Sequence, residues 1–372
     1  MSVTKIKEKT IYTLWGRAGG ICEICGKPLT FDPLTKKLKH RGYVAHIYGE
    51  KEGAARYDRV RSKKHCDDID YLMLLCDSCH KRIDVDEPLN YPVEKLCALK
   101  RRHEEFIARI VACKQYKESQ ALTLRAKIGE HVPDNFDNNM LLESIINNHK
   151  QPKTNTPISL LDISDLDDSQ TAYWEFAKQS LTTKFKQILD IHSDISAWSI
   201  FAIAPQPLLI LLGSLLTELH DVDIYQSHRI NNTWTWPTDN NDKIEFKILE
   251  PINAHLDNVA IKFSLSADIT DERVIKVLGE TTSIWEIKID TPNENFVKNY
   301  TIQTEFKAAF GKVLNDINRL RSDIEEINLF PAVPQSLAVC IGQKRMPKAD
   351  KKFVIYDQNN KEGMFIKTIT ID

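Results

Sequence analysis

The sequence predicts a two-domain chain, α+β followed by α/β: a small unit closed by a cysteine cluster, then a larger unit of two fused Rossmann-like halves. Three observations predict it. Two C-x-x-C pairs, Cys22–Cys25 and Cys76–Cys79, lie in the N-terminal third. Formal charge reverses sign along the chain. The segment Pro205–Gly213 aligns without gaps on Pro334–Gly342, each between strand-like runs. At 372 residues the chain exceeds one ordinary domain.

The cysteine pairs come first in the chain. A two-residue spacer lets both thiolates of a pair reach one ion, so Cys22, Cys25, Cys76 and Cys79 suit a structural, tetrahedral zinc site. One such pair alone also fits a redox motif. No apolar targeting stretch opens the chain, which points to a reducing, cytoplasmic setting and disfavours disulfides. Cys66, Cys97, Cys113 and Cys340 lack paired spacing and read as ordinary thiols.

Charge follows the same division. Residues 1–115 carry 23 Lys+Arg and 16 Asp+Glu, a net of +7, and residues 116–372 carry 27 and 36, a net of −9. A basic unit tied to an acidic one suggests that only the first contacts a phosphate backbone. Residues 94–118 read as a charged helix closing the first domain, 1–115. Loop signals around Val132–Asn135, Asn147–His149 and Gln151–Pro157 suggest a linker with short helices over 116–164, before a second domain at 165–372.

The N-terminal residues carry a resemblance. Trp15-Gly16-Arg17-Ala18-Gly19-Gly20-Ile21-Cys22, Ala45-His46-Ile47, and Leu72–Cys76 with Cys79-His80 and Ile83-Asp84 resemble an HNH endonuclease, a zinc-stabilised ββα nuclease. Tyr91–Leu96 and Lys100–Glu104 are similar to the version fused to SAVED domains in bacterial anti-phage (CBASS) effectors. The resemblance implies His46 as the general base and His80 as ligand to a catalytic divalent ion, magnesium or similar. The chemistry agrees, because hydrolysing a phosphodiester needs a base near neutrality and a cation for the leaving oxygen. Two positions depart from the family: Ala45 stands where many relatives have an acidic metal ligand, and Tyr71 replaces the family asparagine. Asp70 or Asp84 are candidates to complete the site.

In the second domain, strand, Pro-marked turn, apolar helix and strand recur in both copies of the repeat, a βαβ reading. In open α/β sheets, ligands sit beyond the carboxyl ends of strands, where helix N-termini present free N–H groups. Pro207 fits a first helical turn. An anion is therefore expected near residues 206–209 and 334–337. Gln226, His228 and Arg229 follow one strand, then Trp234-Thr235-Trp236-Pro237, offering a base-edge reader, a phosphate clamp and stacking faces. Lys344, Arg345 and Lys348 follow the second-copy helix. Those tryptophans equally suit a loop-supporting patch, and the basic cluster a helix C-terminus.

A second resemblance lies here. Ala204–Leu208, Tyr225–Arg229, Trp234–Pro237, Leu329–Pro334 and Arg345–Asp350 are similar to the SAVED sensor domain, which has two CARF-like halves and binds cyclic di- or trinucleotides. It implies ligand contacts from Pro207, Gln226, Arg229, Trp234, Trp236, Pro331, Lys344, Arg345 and Lys348, with the cyclic GMP-AMP class favoured. The order HNH then SAVED resembles an effector that degrades double-stranded DNA in abortive anti-phage defence and forms a larger homo-oligomer on ligand binding. Two other functions fit the residues: a zinc-containing nucleotide sensor that binds DNA without cutting, or a constitutive restriction-type nuclease. Residues 196–216 approach membrane-spanning length, but Pro205-Gln206-Pro207 interrupts them, so no membrane partner is expected.

Overall fold

The computed structural model describes residues 6–31, 37–38, 41–163, 171–219, 221–229, 232–237, 243–346, 350–359 and 363–372. They divide into two compact units, one ending at Gln115 and the other beginning at Tyr116.

The first unit contains α1 (Glu8–Arg17), β1 (Gly42–His46), α2 (Arg61–Lys64), β2 (Leu72–Cys76), α3 (Asp77–Lys81) and α4 (Val93–Ala112). β1 and β2 pair antiparallel, with Gly42 opposite Cys76 and His46 opposite Leu72. β2 is an unbroken apolar run and is buried throughout. α3 continues into a π-helical turn at Arg82–Asp86, so hairpin and helix form one ββα unit. The core joins Leu14, Ala45, Ile47, Leu72–Leu75, Ile83 and Leu96. The charged helix expected over 94–118 is α4, and it stops at Ala112.

The second unit begins earlier than the sequence suggested. The expected linker at 116–164 instead supplies β3 (Glu118–Ala126), α5 (Asn138–Asn147), β4 (Gln151–Pro152) and β5 (Ile158–Ile163). β3 is nearly all buried and pairs with β6 on one edge and with β5 on the other. Asn- and Pro-rich turns between these elements were read as a linker; they are instead the tight connections of an α/β half. Asp137, for example, caps α5 by accepting from the amides of Asn139 and Met140. α6 (Thr171–Ile191), β6 (Trp198–Ile203), α7 (Gln206–Leu215) and β7 (Val222–Ile224) complete that half.

The second half comprises β8 (Lys247–Leu249), β9 (Asn258–Ser264), α8 (Asp271–Leu278), β10 (Thr282–Lys288), α9 (Tyr300–Leu320), β11 (Glu326–Ala332), α10 (Gln335–Lys344), β12 (Lys352–Asn359) and β13 (Met364–Ile371). Its parallel strands run in the order β10-β9-β11-β12, matching β5-β3-β6-β7 of the first half. Antiparallel β8 and β13 extend its two edges. The apolar stretch at 196–216 is thus a strand and a helix, and among the described residues no helix is long and apolar enough to cross a membrane.

The halves meet through α7 and α10. Both are apolar on nearly every side, and residues 207–213 and 336–342 are all buried. Their crossing is reciprocal. A Cβ on Gly213 would lie 2.0 Å from the Val339 carbonyl oxygen, and one on Gly342 would lie 1.8 Å from that of Ile210. Ile210 and Val339 are themselves equivalent positions of the repeat, so the contact follows a local two-fold relation.

Exchanging a helical glycine for alanine ordinarily stabilises by about 1 kcal/mol. Here the added methyl meets rigid backbone, so the sign reverses. Gly213→Ala and Gly342→Ala are each expected to cost the second unit at least about 3 kcal/mol. Urea denaturation followed by tryptophan fluorescence measures it, and a midpoint at or above wild type would refute the crossing.

Candidate functional site

In the first unit, Cys22 and Cys25 occupy the turn after α1. The Gly26 amide donates to the Cys22 carbonyl at 2.9 Å, with Gly26 at a φ of 69° that favours glycine. Cys76 ends β2 and Cys79 lies in α3. The four Sγ atoms all lie within 4.8 Å of one another, and those of Cys25 and Cys76 are 3.7 Å apart. Tetrahedral zinc with bonds of about 2.3 Å requires sulfur separations of about 3.8 Å. The geometry fits that ion. Burial pushes the Cys79 thiol up, as does the charge of Cys22, and burial also raises Cys22. A central cation removes that penalty on the thiolates.

Glu23, inside the first knuckle, pins it to the hairpin. Its amide donates to Leu74 O at 3.0 Å, and its Oε2 accepts from the Leu74 amide at 2.9 Å. Burial pushes this carboxyl up to about 7 against the opposing charge of Lys100.

His46 ends β1, and its Nε2 lies 3.0 Å from the Cys66 carbonyl oxygen. A carbonyl can only accept, so Nε2 carries the proton and the neutral ring keeps its lone pair on Nδ1. That is the tautomer a base needs. His80 Nε2 is 3.1 Å from Asp84 Oδ2, one helical turn on, and its ring stacks on Tyr43 at 5.3 Å. Arg56 pairs with the other oxygen, Oδ1. Burial works against ionising Asp84, but hydrogen bonds from His80 and Arg56 outweigh it and hold the carboxyl below its usual range. A separation near 3.0 Å also matches neighbouring ligands of an octahedral cation with bonds of about 2.1 Å. His80 and Asp84 are thus spaced as two neighbouring protein ligands of a divalent cation would be, with other positions left to water or phosphate. Of the two carboxylates considered for this role, Asp84 lies beside His80. Asp70 is committed elsewhere, paired with Arg17 at 3.3 Å.

The second unit holds a cavity of about 430 Å³ where the carboxyl ends of the two sheets face each other. Pro205 and Gln206 at the start of α7 line it, as do Pro334 and Gln335 at the start of α10. Gln206 is fixed by Val333, donating to its carbonyl at 3.1 Å and accepting from its amide at 3.4 Å. Gln226 is fixed by α10: it donates to Gln335 Oε1 at 3.2 Å and accepts from Ser336 Oγ at 2.7 Å. Arg229 also lines the cavity and pairs with Glu294 at 2.5 Å. The Trp174 indole N–H, buried at the wall, has no hydrogen-bond partner among the described residues.

Of the residues expected to touch ligand, Gln226 and Arg229 reach this cavity. Trp234 does not: it is buried in a small core, edge-on to Phe136 and Phe201. Trp236 packs edge-on to His228 and against the main core. Pro207 and Pro331 are buried inside α7 and β11. Lys344 and Arg345 lie at the C-terminal end of α10, about 15 Å from its cavity end by helix rise alone. Arg345 there ties Lys351 O and Asp372 O together. Lys348 lies outside the described residues. The expected anion donors are also partly spent, since the amides of Leu208 and Leu209 return to Pro205 O, and that of Ser336 goes to Gln226. Gln206 and Gln335 were missed as side chains, although each stands second in the repeat. Trp174 carried no comparable signal.

These features define a tandem Rossmann-like domain with a cavity at its strand ends, on a chain that also carries a ββα unit with a four-cysteine cluster. The chain belongs to the SAVED family: the SMODS-associated and fused to various effectors sensor domain matches residues 180–371. That match begins inside α6, so it omits the central strand β3. Among solved structures, the Acinetobacter baumannii Cap4 SAVED/CARF-domain containing receptor with the cyclic trinucleotide 2'3'3'-cAAA is 14% identical, with 75% of this chain and 61% of that one covered and a TM-score of 0.45. The same receptor with 3'3'3'-cAAA gives 14%, 75%, 59% and 0.46. The Moraxella osloensis Cap4 receptor gives 13%, 85%, 70% and 0.41. The chain thus spans about three fifths of the length of the Acinetobacter receptor. No curated protein matches it.

Losing one thiolate leaves three charged sulfurs without their tetrahedral ion. Cys22→Ser or Cys79→Ser is expected to drop zinc content from one equivalent toward none and to unfold the first unit, with the second unit's melting transition retained. Metal analysis and differential scanning calorimetry test this. A serine variant that keeps its zinc and both transitions would remove the assignment.

Proposed function

We propose that this protein is a metal-dependent endonuclease for double-stranded DNA, switched on by a cyclic oligonucleotide in the SAVED cavity, in anti-phage defence. One observation carries the reading: His46, held by the Cys66 carbonyl, and the adjoining His80–Asp84 pair share a ββα unit tied by four clustered cysteines, on a chain whose other unit is a SAVED domain with a preformed cavity. The net charge of the first unit, +7 over residues 1–115, suits a phosphate backbone.

A magnesium ion at His80 and Asp84 would supply charge to the scissile phosphate and to the departing oxygen. His46 Nδ1 takes the proton from the attacking water, and the Cys66 carbonyl keeps the ring oriented and supports the imidazolium that results. In the cavity, a ligand phosphate competes with Glu294 for Arg229, and the Trp174 N–H gains an acceptor. The wall also carries Glu130, Glu294 and Asp357, so base edges rich in amino groups suit it better than further phosphates. Ligand binding drives homo-oligomers that place two hairpins on opposite DNA strands.

Plasmid is incubated with protein and magnesium, with and without a panel of cyclic di- and trinucleotides that includes cyclic GMP-AMP and the triadenylates. Cutting is expected only with a cyclic nucleotide, accompanied by a mass increase in sedimentation. DNA bound but uncut would favour the non-cleaving sensor, and cutting without nucleotide the constitutive nuclease. His46→Ala is expected to lose about 10²–10⁴-fold in rate, with ligand affinity and zinc unchanged. A wild-type rate in that variant would place the base elsewhere.

Arg229 supplies a separate check on the cavity. Because Glu294 already competes for the guanidinium, a phosphate gains only part of a charge-assisted bond, about 1 kcal/mol, so Arg229→Ala is expected to raise the activating concentration only about 5-fold. Glu294→Gln frees the guanidinium and is expected to lower that concentration. Identical activation curves for all three proteins would exclude Arg229 from binding.

A further inference from the structure

Arg56 is held in a conformation that side chains other than glycine rarely adopt. Its φ is 58°, and it closes a loop so tight that a Cβ on Gly49 would fall 2.3 Å from the Ala55 carbonyl oxygen. Such strain persists only where the surroundings impose it. Those surroundings are the two segments of the proposed hydrolytic centre. The guanidinium, 7% exposed, donates Nε to Ile47 O at 2.8 Å, Nη1 to Ile83 O at 2.6 Å and Nη2 to Asp84 Oδ1. Ile47 follows His46 directly, and Ile83 precedes Asp84.

We infer that Arg56 is the positioning residue of this centre, a three-point brace that sets the base-bearing strand against the His80–Asp84 turn and shares the Asp84 carboxylate with the metal. The inference rests on the nuclease reading. The fork is what makes it possible: three bonds in one plane fix both distance and angle between the segments, which an ammonium cannot do. The brace also has a cost for metal binding. A fixed positive charge on Oδ1 opposes a divalent cation held through Oδ2 and His80.

Those two roles move in opposite directions when Arg56 is removed, which separates them from simple folding. In the full-length protein, Arg56→Gln is expected to bind Mn²⁺ about 10-fold more tightly by electron paramagnetic resonance titration, at a site that His80→Ala and Asp84→Ala abolish. Zinc content stays at one equivalent. Plasmid cleavage with magnesium and the cyclic-nucleotide panel nevertheless falls by about 100-fold, the effect of roughly 1 Å of misplacement. Arg56→Lys, which keeps charge without the fork, returns Mn²⁺ affinity to the wild-type value and leaves cleavage low. A wild-type cleavage rate in Arg56→Gln overturns the inference, and so does Mn²⁺ affinity that falls together with zinc content. If the wild-type protein cuts no DNA with any nucleotide, the nuclease reading fails. The Mn²⁺ titration then decides alone, with unchanged affinity in Arg56→Gln, or no binding at His80 and Asp84, counting against the brace.

Discussion

The crossing of α7 and α10 is the constraint from which the second unit takes its shape. Each helix presents a glycine to the other's backbone, and no side chain fits between Gly213 and Val339 or between Gly342 and Ile210. The close approach leaves the apolar sides of both helices shared by one core, which runs from Leu122 to Ile371 through both sheets. It also fixes where the helices begin. With the middles clamped, Pro205-Gln206 and Pro334-Gln335 face a common space, and the cavity follows from the packing rather than from any loop. Gln206 and Gln226 then bond across the two halves, so the polar wall is set by the same contact that holds the core.

The repeat that builds this crossing was visible in the sequence because it is local and repeated: proline, glutamine, an apolar run, glycine. The strands beside it were visible for the same reason. β3 was not. Its neighbours in sequence are turns rich in asparagine and proline, and its identity as a central strand depends on partners at Ile158–Ile163 and Trp198–Ile203. The residues expected to touch ligand divide along the same line. Gln226 and Arg229 follow a strand end and line the cavity. Trp234 looked like a stacking platform because tryptophan serves both surfaces and cores, and only Phe136 and Phe201, brought from elsewhere in the chain, decide for the core. Lys344 and Arg345 stand where the sequence puts them, after the second-copy helix, and the length of that helix separates them from the cavity.

In the first unit the cysteine spacing was legible and the arrangement around it was not. Two knuckles state their own geometry, since each pair closes a turn of a few residues. The hairpin they tie holds its histidines by different means. His46 takes its tautomer from a backbone carbonyl twenty residues on, at Cys66, which no spacing rule could reveal. His80 and Asp84 stand one turn apart, so Asp84 could be proposed and Asp70 could not be dismissed. Arg56 was invisible because its role depends on a left-handed backbone and on carbonyls from two separate segments.

Charge poses the last question, because residues 116–372 carry a net of −9 while the proposed ligand is an anion. Long-range attraction cannot guide such a ligand to the cavity. At physiological salt, however, charges more than about 8 Å apart are largely screened, so the acidic residues spread over the surface weigh little at the binding point. What decides is within reach of the ligand: Arg229, the Trp174 N–H and the Gln206 and Gln335 side chains, set against Glu294 and its neighbours. Glu294 already neutralises Arg229 in this structure. A phosphate therefore gains from that guanidinium only the difference between two carboxylate-like partners, a small sum beside the contacts its bases can make. Selectivity in this cavity accordingly falls to the bases and to the shape of the ring, with the phosphates serving to place them between the halves.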